Sequence, residues 1–323
     1  IYGAIAARFM GVKGVFVLIP GLGYAFSSDG SFRQKWVHWM SRLLYSVSLR
    51  CADLIFLQNR DDESLLRSLS VIPHRIPTRL TLGSGVKLDT FSFREQRRWA
   101  EGESAALRFV LVTRLLGKKG VRIFAEAARE YRKLDPGSEF VLVGPLDPSP
   151  DGVSEEELRH WMGAGLISYK GETRDVGAVL EEGDVFVLPT FYREGVPRSI
   201  LEAMAKGMPI ITCDGVGSRE TVWPKDLRLS AGELVVEGEN GWLVEPRSVE
   251  ALVKACSEAA QNPDRLAKMS KRSRQLAEEH FDVHAVNQVI VQAMGLEEPA
   301  RENDSGETME SGSGEAEALA LTN

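Results

Sequence analysis

The chain has 323 residues, enough for two domains, and its 43% apolar and 26% charged content is typical of a globular protein. The net charge of −7 comes wholly from Glu297–Asn323, which holds eight acidic residues and one arginine. The rest of the chain is neutral, which excludes the basic excess of a nucleic-acid-binding domain. Three cysteines far apart and five unclustered histidines exclude a disulfide framework and argue against a metal site.

The first part of the chain alternates apolar runs with helical segments. Val15–Ile19 and Asp53–Gln58 predict buried strands, and the amphipathic segment Arg33–Cys51 predicts a long helix between them. Arg79–Leu82 predicts a further short strand. This alternation is typical of a doubly wound α/β unit, here without its first strand. Because the chain opens on Ile1 in the middle of an apolar pattern, we expect a truncated N-terminus.

The second part of the chain alternates in the same way from Phe109 onward and ends in three predicted helices, Val249–Gln261, Pro263–His280 and Val283–Met294. The last segment is rich in Glu, Ser and Gly without periodicity, which predicts disorder. We divide the chain into an N-terminal domain, a polar linker, a second domain, C-terminal helices that cross back to the first domain, and an acidic tail, at residues 1–93, 94–107, 108–262, 263–295 and 296–323.

The most informative stretch is Phe191–Gly207, FYREGVPRSILEAMAKG. It follows a predicted buried strand, Asp184–Pro189, and Pro197 suits the first position of a helix. Glu194 therefore lies in a loop at the carboxyl end of a strand, and Glu202 lies inside the helix, separated from Glu194 by seven residues. Open α/β sheets bind ligands at such loops, and a helix N-terminus favours an anion. The alternative is that the two glutamates have no functional role: one caps the helix and the other is a solvated side chain.

This block resembles the Glu–seven residues–Glu signature of retaining glycosyltransferase family 4. The resemblance extends over the whole second domain, including EGVPRSILEAMAKGMPIIT and RLLGKKG, and the segments GLGYAF and GSGVKLDTF of the first part are also similar to the family. It implies the α/β GT-B fold, in which two Rossmann-like domains face a cleft. It also implies that the N-terminal, acceptor-binding domain is incomplete here.

The segment RLLGKKG is similar to the family motif whose arginine and lysine grip the donor diphosphate, and these carry over to Arg114 and Lys119. An enzyme that uses no metal must supply fixed positive charge where the diphosphate leaves. Arg offers a planar fork for phosphate and Lys a compact charge. We expect the neighbouring Lys118 to be solvated. The alternative is a helix start with ordinary surface cations.

The resemblance assigns the remaining site residues to the donor. Glu202 would accept hydrogen bonds from the ribose hydroxyls, and Glu194 would face the donor sugar. Gly195 and Val196 would present backbone N–H groups to sugar or phosphate, because small side chains permit a close approach. Gly171, at the end of another predicted strand, would lie near the base; a plain turn is the alternative there.

The resemblance implies a metal-independent hexosyltransferase without a cofactor. It would move a sugar, expected to be an N-acetylhexosamine, from a UDP-linked donor to a glycan or undecaprenyl-diphosphate-linked acceptor, in lipopolysaccharide or polysaccharide synthesis for the cell envelope. A nucleotide-sugar-binding module without turnover is the main alternative. A two-domain dehydrogenase is a weaker one, because Gly21 and Gly23 lack the third glycine and the later acidic residue of a dinucleotide fingerprint.

The predicted long helix suggests contact with a membrane. Arg33, Lys35, Trp36, Trp39 and Arg42 would form a basic, aromatic surface for a membrane that carries a lipid-linked acceptor. The alternative, which we slightly favour, is a helix that packs on the first sheet with both tryptophans in the core. We expect a cytoplasmic protein that lies at the inner face of the plasma membrane.

Overall fold

The computed structural model describes residues 1–26, 32–94 and 106–296. The predicted linker and acidic tail lie almost wholly outside these ranges. Two β-sheets with flanking helices make up the rest, and each has its own buried core. We call the smaller sheet with its helices the first lobe and the larger one with its helices the second lobe. The α/β class predicted from the sequence is confirmed.

The first lobe is a parallel sheet of three described strands in the order β1-β2-β3. Its core forms between the sheet and the helices that cover it, and every residue of the central strand β2 is buried. The strands are β1 Phe16–Ile19, β2 Leu54–Leu57 and β3 Thr78–Leu80, and the helices are α1 Tyr2–Phe9, α2 Phe32–Leu49 and α3 Arg60–Ser68.

The second lobe has seven strands in the order β6-β5-β4-β7-β8-β10-β9, all parallel except for β9. Central strands such as VFVL are buried on both faces, as apolar strands covered by helices on both sides must be. The strands are β4 Arg108–Val112, β5 Glu139–Val143, β6 Ser168–Tyr169, β7 Val185–Leu188, β8 Ile210–Cys213, β9 Val235–Glu237 and β10 Gly241–Val244.

Five of the seven described helices of the second lobe begin at a residue whose side chain caps them. Ser154 forms a capping box with Glu157, and Asn262 accepts from the Arg265 N–H with Pro263 at the helix start. The helices are α4 Val121–Tyr131, α5 Glu155–Gly163, α6 Val176–Glu182, α7 Arg198–Ala205, α8 Val249–Ala260, α9 Pro263–His280 and α10 Val283–Ala293.

The junction between α9 and α10 contacts the loop that follows the first lobe. The Val86 N–H donates to Phe281 O at 2.8 Å, and the Val283 N–H donates to Val86 O at 3.1 Å. Val86 and Phe91 are also buried in the core of the second lobe. The chain before residue 94 therefore already contributes to that core, and the domain division drawn from the sequence stays a prediction.

Helix α2 differs from the favoured expectation. Trp36 and Trp39 are 59% and 58% exposed, so the prediction that both lie in the core is wrong. The physical reason is that the helix buries its opposite face, with Leu49 at 1% exposure, and leaves this stripe outside. Within the described ranges, no helix combines the length and apolar character needed to cross a bilayer.

Helix α7 ends in two hydrogen bonds that depend on Gly207. The Gly207 N–H donates to Met204 O and the Met208 N–H donates to Ala203 O, both at 2.9 Å. This is the Schellman arrangement, which requires a left-handed residue, and Gly207 has φ +79°. At the other end Pro197 is the cap, one residue before the predicted position, because its ψ of 121° is extended.

We predict that Gly207→Ala destabilises the fold by about 2–3 kcal/mol, because a left-handed non-glycine residue costs about 1 kcal/mol and overlap adds to it. A Cβ at this position would lie 2.5 Å from Phe93 Cε2. Gly232→Ala is the matched control, since Gly232 has φ +81° but nothing within 4 Å of a Cβ. Denaturant unfolding should show a clearly smaller loss for the control; equal losses would contradict the packing argument.

Candidate functional site

The site forms at the carboxyl edge of the larger sheet, where the loops that follow β4 and β7 meet. Lys119 ends a short 3-10 turn after β4, and Glu194 lies in the loop between β7 and α7. The two loops are joined by their backbones, because the Phe191 N–H donates to Lys118 O at 3.0 Å. Parallel strands bring their carboxyl ends to one edge, which is why residues 75 positions apart in the chain meet here.

Lys119 and Glu194 form a close ion pair. Lys119 Nζ lies 2.7 Å from Glu194 Oε1 and 2.6 Å from Oε2. The two side chains are only 13% and 18% exposed, so water screens the pair weakly. The sequence analysis assigned Lys119 to the diphosphate of a donor and Glu194 to its sugar. The structure brings the two side chains together as an ion pair.

Two further side chains around the pair were missed by the sequence analysis. The Thr190 hydroxyl donates to Glu194 Oε1 at 3.1 Å and accepts the Tyr192 N–H at 3.2 Å, and Thr190 is 1% exposed. The ring of Tyr192 lies 5.8 Å from Lys119 Nζ, within the range of a cation–π contact. The only local signal for Thr190 was its place directly after a predicted strand.

Glu202 lies in α7, eight positions after Glu194, with its side chain 12% exposed. Its partner is Arg198, whose Nε donates to Oε1 at 3.1 Å from a side chain that is 73% exposed. Burial raises the pKa of the Glu202 carboxyl above its usual range, and Arg198 offsets this only in part. A half-buried carboxylate that is poorly compensated is common at functional sites, since a polar ligand can supply the missing hydrogen bonds.

The backbone on the other side of Glu194 packs against the first lobe. A Cβ at Gly195 would lie 1.8 Å from Pro20 O, and one at Gly21 would lie 2.4 Å from Gly195 N, so only glycine permits this approach. The Val196 N–H, expected to face a ligand, instead donates to Gln58 Oε1 at 3.2 Å. At Val196 the structure therefore differs from the expectation, because Gln58 reaches across from the end of β2.

Arg114 and Gly171 lie apart from the ion pair. Arg114 is 61% exposed and pairs with Asp147 at 3.3 Å, on the loop after β5. Gly171 follows β6, and its carbonyl accepts the Gly144 N–H at 2.9 Å. Both remain at the carboxyl edge, so they border the same side of the sheet. The described ranges hold no group of three or more His, Cys, Asp or Glu side chains placed to bind a metal ion.

Comparison with protein families identifies the second lobe. Residues 106–262 match the family model described as glycosyl transferases group 1. This match identifies the second lobe as a domain of the glycosyl transferases group 1 family. The matched range runs from β4 to the start of α9 and contains every predicted site residue.

Relatives with assigned activities are bacterial glycosyltransferases. The chain is 30% identical over 226 residues to the N,N'-diacetylbacillosaminyl-diphospho-undecaprenol alpha-1,3-N-acetylgalactosaminyltransferase of Campylobacter jejuni, covering 68% of this chain and 58% of that protein. It is 29% identical over 269 residues to the UDP-Gal:alpha-D-GlcNAc-diphosphoundecaprenol alpha-1,3-galactosyltransferase of Escherichia coli, covering 79% and 62%. The chain thus spans about three-fifths of the length of these relatives.

Solved structures show the same fold. Anabaena Alr3699/HepE, crystallised with UDP, superimposes with a TM-score of 0.70 at 18% identity over 91% of this chain and 75% of that chain. Sucrose-phosphate synthase from Thermosynechococcus elongatus gives a TM-score of 0.69 at 22% identity over 90% and 70%. The GT-B fold implied by the sequence is confirmed.

We predict that Glu202→Gln is more stable than the wild type at pH 7. The raised pKa means that the folded protein favours the protonated carboxyl, so ionisation costs stability as the pH rises from the unfolded-state pKa, 4.5, through the folded one. The gain should vanish below about pH 4, where both forms are protonated.

The control for this prediction is Glu126→Gln, which breaks a similar helical pair with Arg129 whose glutamate is 44% exposed. Urea unfolding at pH 4 and pH 7 measures both variants. If Glu202→Gln were less stable than the wild type at pH 7, the ionised Glu202 carboxylate would stabilise the fold, and the prediction would be contradicted.

Proposed function

We propose that the chain carries the donor site of a retaining, metal-independent hexosyltransferase that moves a sugar from a UDP-sugar to an undecaprenyl-diphosphate-linked glycan. The observation that carries the proposal is the Lys119–Glu194 pair at the carboxyl edge, with Glu202 eight positions further along. The family match and the names of the two relatives support it. The donor sugar is an N-acetylhexosamine in the first of these relatives and galactose in the second.

Lys119 is the group that would respond to the donor diphosphate. In this structure its ammonium is neutralised by the Glu194 carboxylate. A diphosphate carries more charge than a carboxylate and would compete for the ammonium. Arg114, whose side chain is 61% exposed, is free to turn from Asp147 toward the same phosphates. Together they would stabilise the charge that builds on the leaving group, without a metal ion.

Glu202 and Glu194 would divide the rest of the donor between them. Glu202 accepts hydrogen bonds from two ribose hydroxyls, which would compensate the burial of its carboxylate. Glu194, once Lys119 turns to the diphosphate, presents a negative charge to the sugar. A carboxylate there stabilises the positive charge that develops at the anomeric carbon as the bond to the diphosphate breaks.

In the transfer step the bond between the anomeric carbon and the β-phosphate oxygen breaks, and UDP leaves with the bonding electrons. The acceptor hydroxyl attacks on the same face, its oxygen forms the new bond to the anomeric carbon, and its proton passes to the β-phosphate. The configuration is therefore retained. Gly195 would line the sugar subsite by its backbone, and Gly171 the base subsite at the end of β6.

The acceptor would reach the site from a membrane surface. Residues 1–52 hold six Lys and Arg and one Asp, in contrast to the acidic chain as a whole. The exposed Trp36 and Trp39 of α2 belong to this basic segment. Aromatic and basic side chains favour the headgroup region of an anionic bilayer. We propose a peripheral position at the inner face of the plasma membrane for a protein that uses a lipid-linked glycan.

We predict that UDP binds without a metal and that Lys119→Ala weakens its binding by about 2–3 kcal/mol, the cost of losing a charged hydrogen bond. Lys118→Ala, one residue away, is the matched control and should change binding by less than about 0.5 kcal/mol. Arg114→Ala and Glu202→Ala should each weaken binding as well. Titration calorimetry with and without Mg²⁺ measures all of these.

The outcomes of the titration are distinct. Equal UDP affinity in all variants would contradict the assignment of these residues to the donor site. Binding of GDP or ADP in place of UDP would keep the site and change the donor. UDP binding without release of UDP from any UDP-sugar, tested with an undecaprenyl-diphosphate-linked acceptor, would favour the binding module without turnover.

A further inference from the structure

The loop that holds Glu194 is attached to the first lobe on both sides of that residue. The Gly23 N–H donates to Arg193 O at 3.0 Å, and the Val196 N–H donates to Gln58 Oε1 at 3.2 Å. Between these two bonds, Gly195 packs on the backbone of Pro20. The Glu194 side chain turns to the second lobe and reaches Lys119. The second lobe also touches the loop backbone, because a Cβ at Gly217 would lie 2.4 Å from Glu194 O. The first lobe therefore supplies the hydrogen bonds to the loop backbone on both sides of Glu194, and the second lobe supplies the cation that pairs with its side chain.

The strongest of these attachments is an ion pair. Arg193 Nε and Nη2 lie 2.8 and 2.7 Å from Asp62 Oδ1, and Asp62 is 2% exposed against 21% for Arg193. The pair joins residues 131 positions apart in the chain. Two nitrogens of one guanidinium on one carboxylate fix the direction of the arginine as well as its distance.

Asp62 is itself held rigidly by the first turn of α3. Its N–H donates to Asn59 Oδ1 at 2.7 Å, and its Oδ2 accepts from Asn59 Nδ2 at 3.1 Å. Asn59 is the N-cap of that helix. The carboxylate that Arg193 meets is thus a fixed point of the first lobe.

The energetics argue for a positioning role. Burial raises the pKa of the Asp62 carboxyl, and Arg193 only partly reverses this. The ionised form of Asp62 is therefore held at a net cost in stability. Buried ion pairs often behave in this way, since apolar residues can often replace them without loss of stability. Such a pair contributes direction and register to the parts that it joins.

We propose that Asp62 and Arg193 form a positioning pair that fixes the loop 193–196 to the first lobe and, through it, holds the Glu194 carboxylate opposite Lys119. The inference rests on the proposed function, in which Glu194 faces the donor sugar. Asp62 and Arg193 are positioning residues: they act on the site through the backbone next to Glu194.

Hydrogen exchange on the full chain tests the pair, because two amides report on the attachment directly. These are Val196, bonded to Gln58, and Gly23, bonded to Arg193 O. In Asp62→Asn, which keeps the shape and removes the charge, both amides should exchange at least about tenfold faster. Arg193→Gln should have the same effect, and the double variant should be no worse than either single one.

Two controls separate positioning from loss of fold. Glu139→Gln removes the partner of Arg108, 2.8 Å away on the second lobe, and should leave both amides unchanged. Amides of β8, which contains none of the substituted residues, should exchange as in the wild type in every variant. Arg193→Lys, which keeps the charge, should restore part of the protection. Unchanged exchange at Val196 and Gly23 would overturn the proposal, and so would an equal acceleration of exchange in β8.

The same samples separate this inference from the proposed function. UDP should protect the amides around Lys119 and Glu202 in the wild type. Its affinity should change less than about twofold in Asp62→Asn, because Asp62 contacts neither residue. Absence of UDP binding in every sample would remove the proposed function, while the exchange at Val196 would still decide whether the pair holds the loop.

Discussion

The ion pair between Lys119 and Glu194 is the interaction on which the rest of the site depends. It forms because two parallel strands, β4 and β7, end at the same edge of the sheet and because the backbone after each strand is joined by a hydrogen bond. A lysine and a glutamate with little exposure satisfy each other in this pair. In the proposed function, the donor diphosphate would provide a negative group for the lysine, and the anomeric carbon would provide a developing positive charge for the glutamate. We propose that the pair prepares the site for such a ligand.

The site also carries carboxylates that are held at a cost. Burial raises the pKa of both Glu202 and Asp62, so neither ionised group adds to the stability of the fold. In the proposed function a nucleotide would complete the hydrogen bonds of Glu202, which in this structure pairs with Arg198. Asp62 lies where the first lobe meets the loop around Glu194. A loss of stability at a functional site is expected when the function requires a charged group at a fixed position. The cores of the two lobes, which are apolar and closely packed, provide the stability that these groups do not.

Local patterns in the sequence predicted most of the elements, since they depend on neighbours in the chain. The bounds of α9, Pro263–His280, follow from Asn262 and Pro263 at one end and are confirmed in full. Glu194, Glu202 and Lys119 were predicted as site residues through a family resemblance, and the structure brings two of them into contact. That contact supports their roles without testing them.

Contacts between distant segments could not be predicted. Nothing near Gln58 in the sequence indicates that its side chain reaches Val196, and nothing near Asp62 indicates Arg193. The exposure of Trp36 and Trp39 was wrongly predicted because an amphipathic pattern shows two faces but not which one the sheet covers. These contacts and exposures depend on how the lobes pack, which local sequence patterns do not determine.

A crystal structure of the protein with UDP bound would show directly whether the Lys119–Glu194 pair belongs to the donor site. We expect the diphosphate to lie within hydrogen-bonding distance of Lys119 Nζ and the Glu194 carboxylate to have separated from that ammonium. We also expect the ribose hydroxyls to donate to Glu202. A complex in which UDP binds elsewhere, with the Lys119–Glu194 pair intact at its present 2.6 Å, would contradict this expectation.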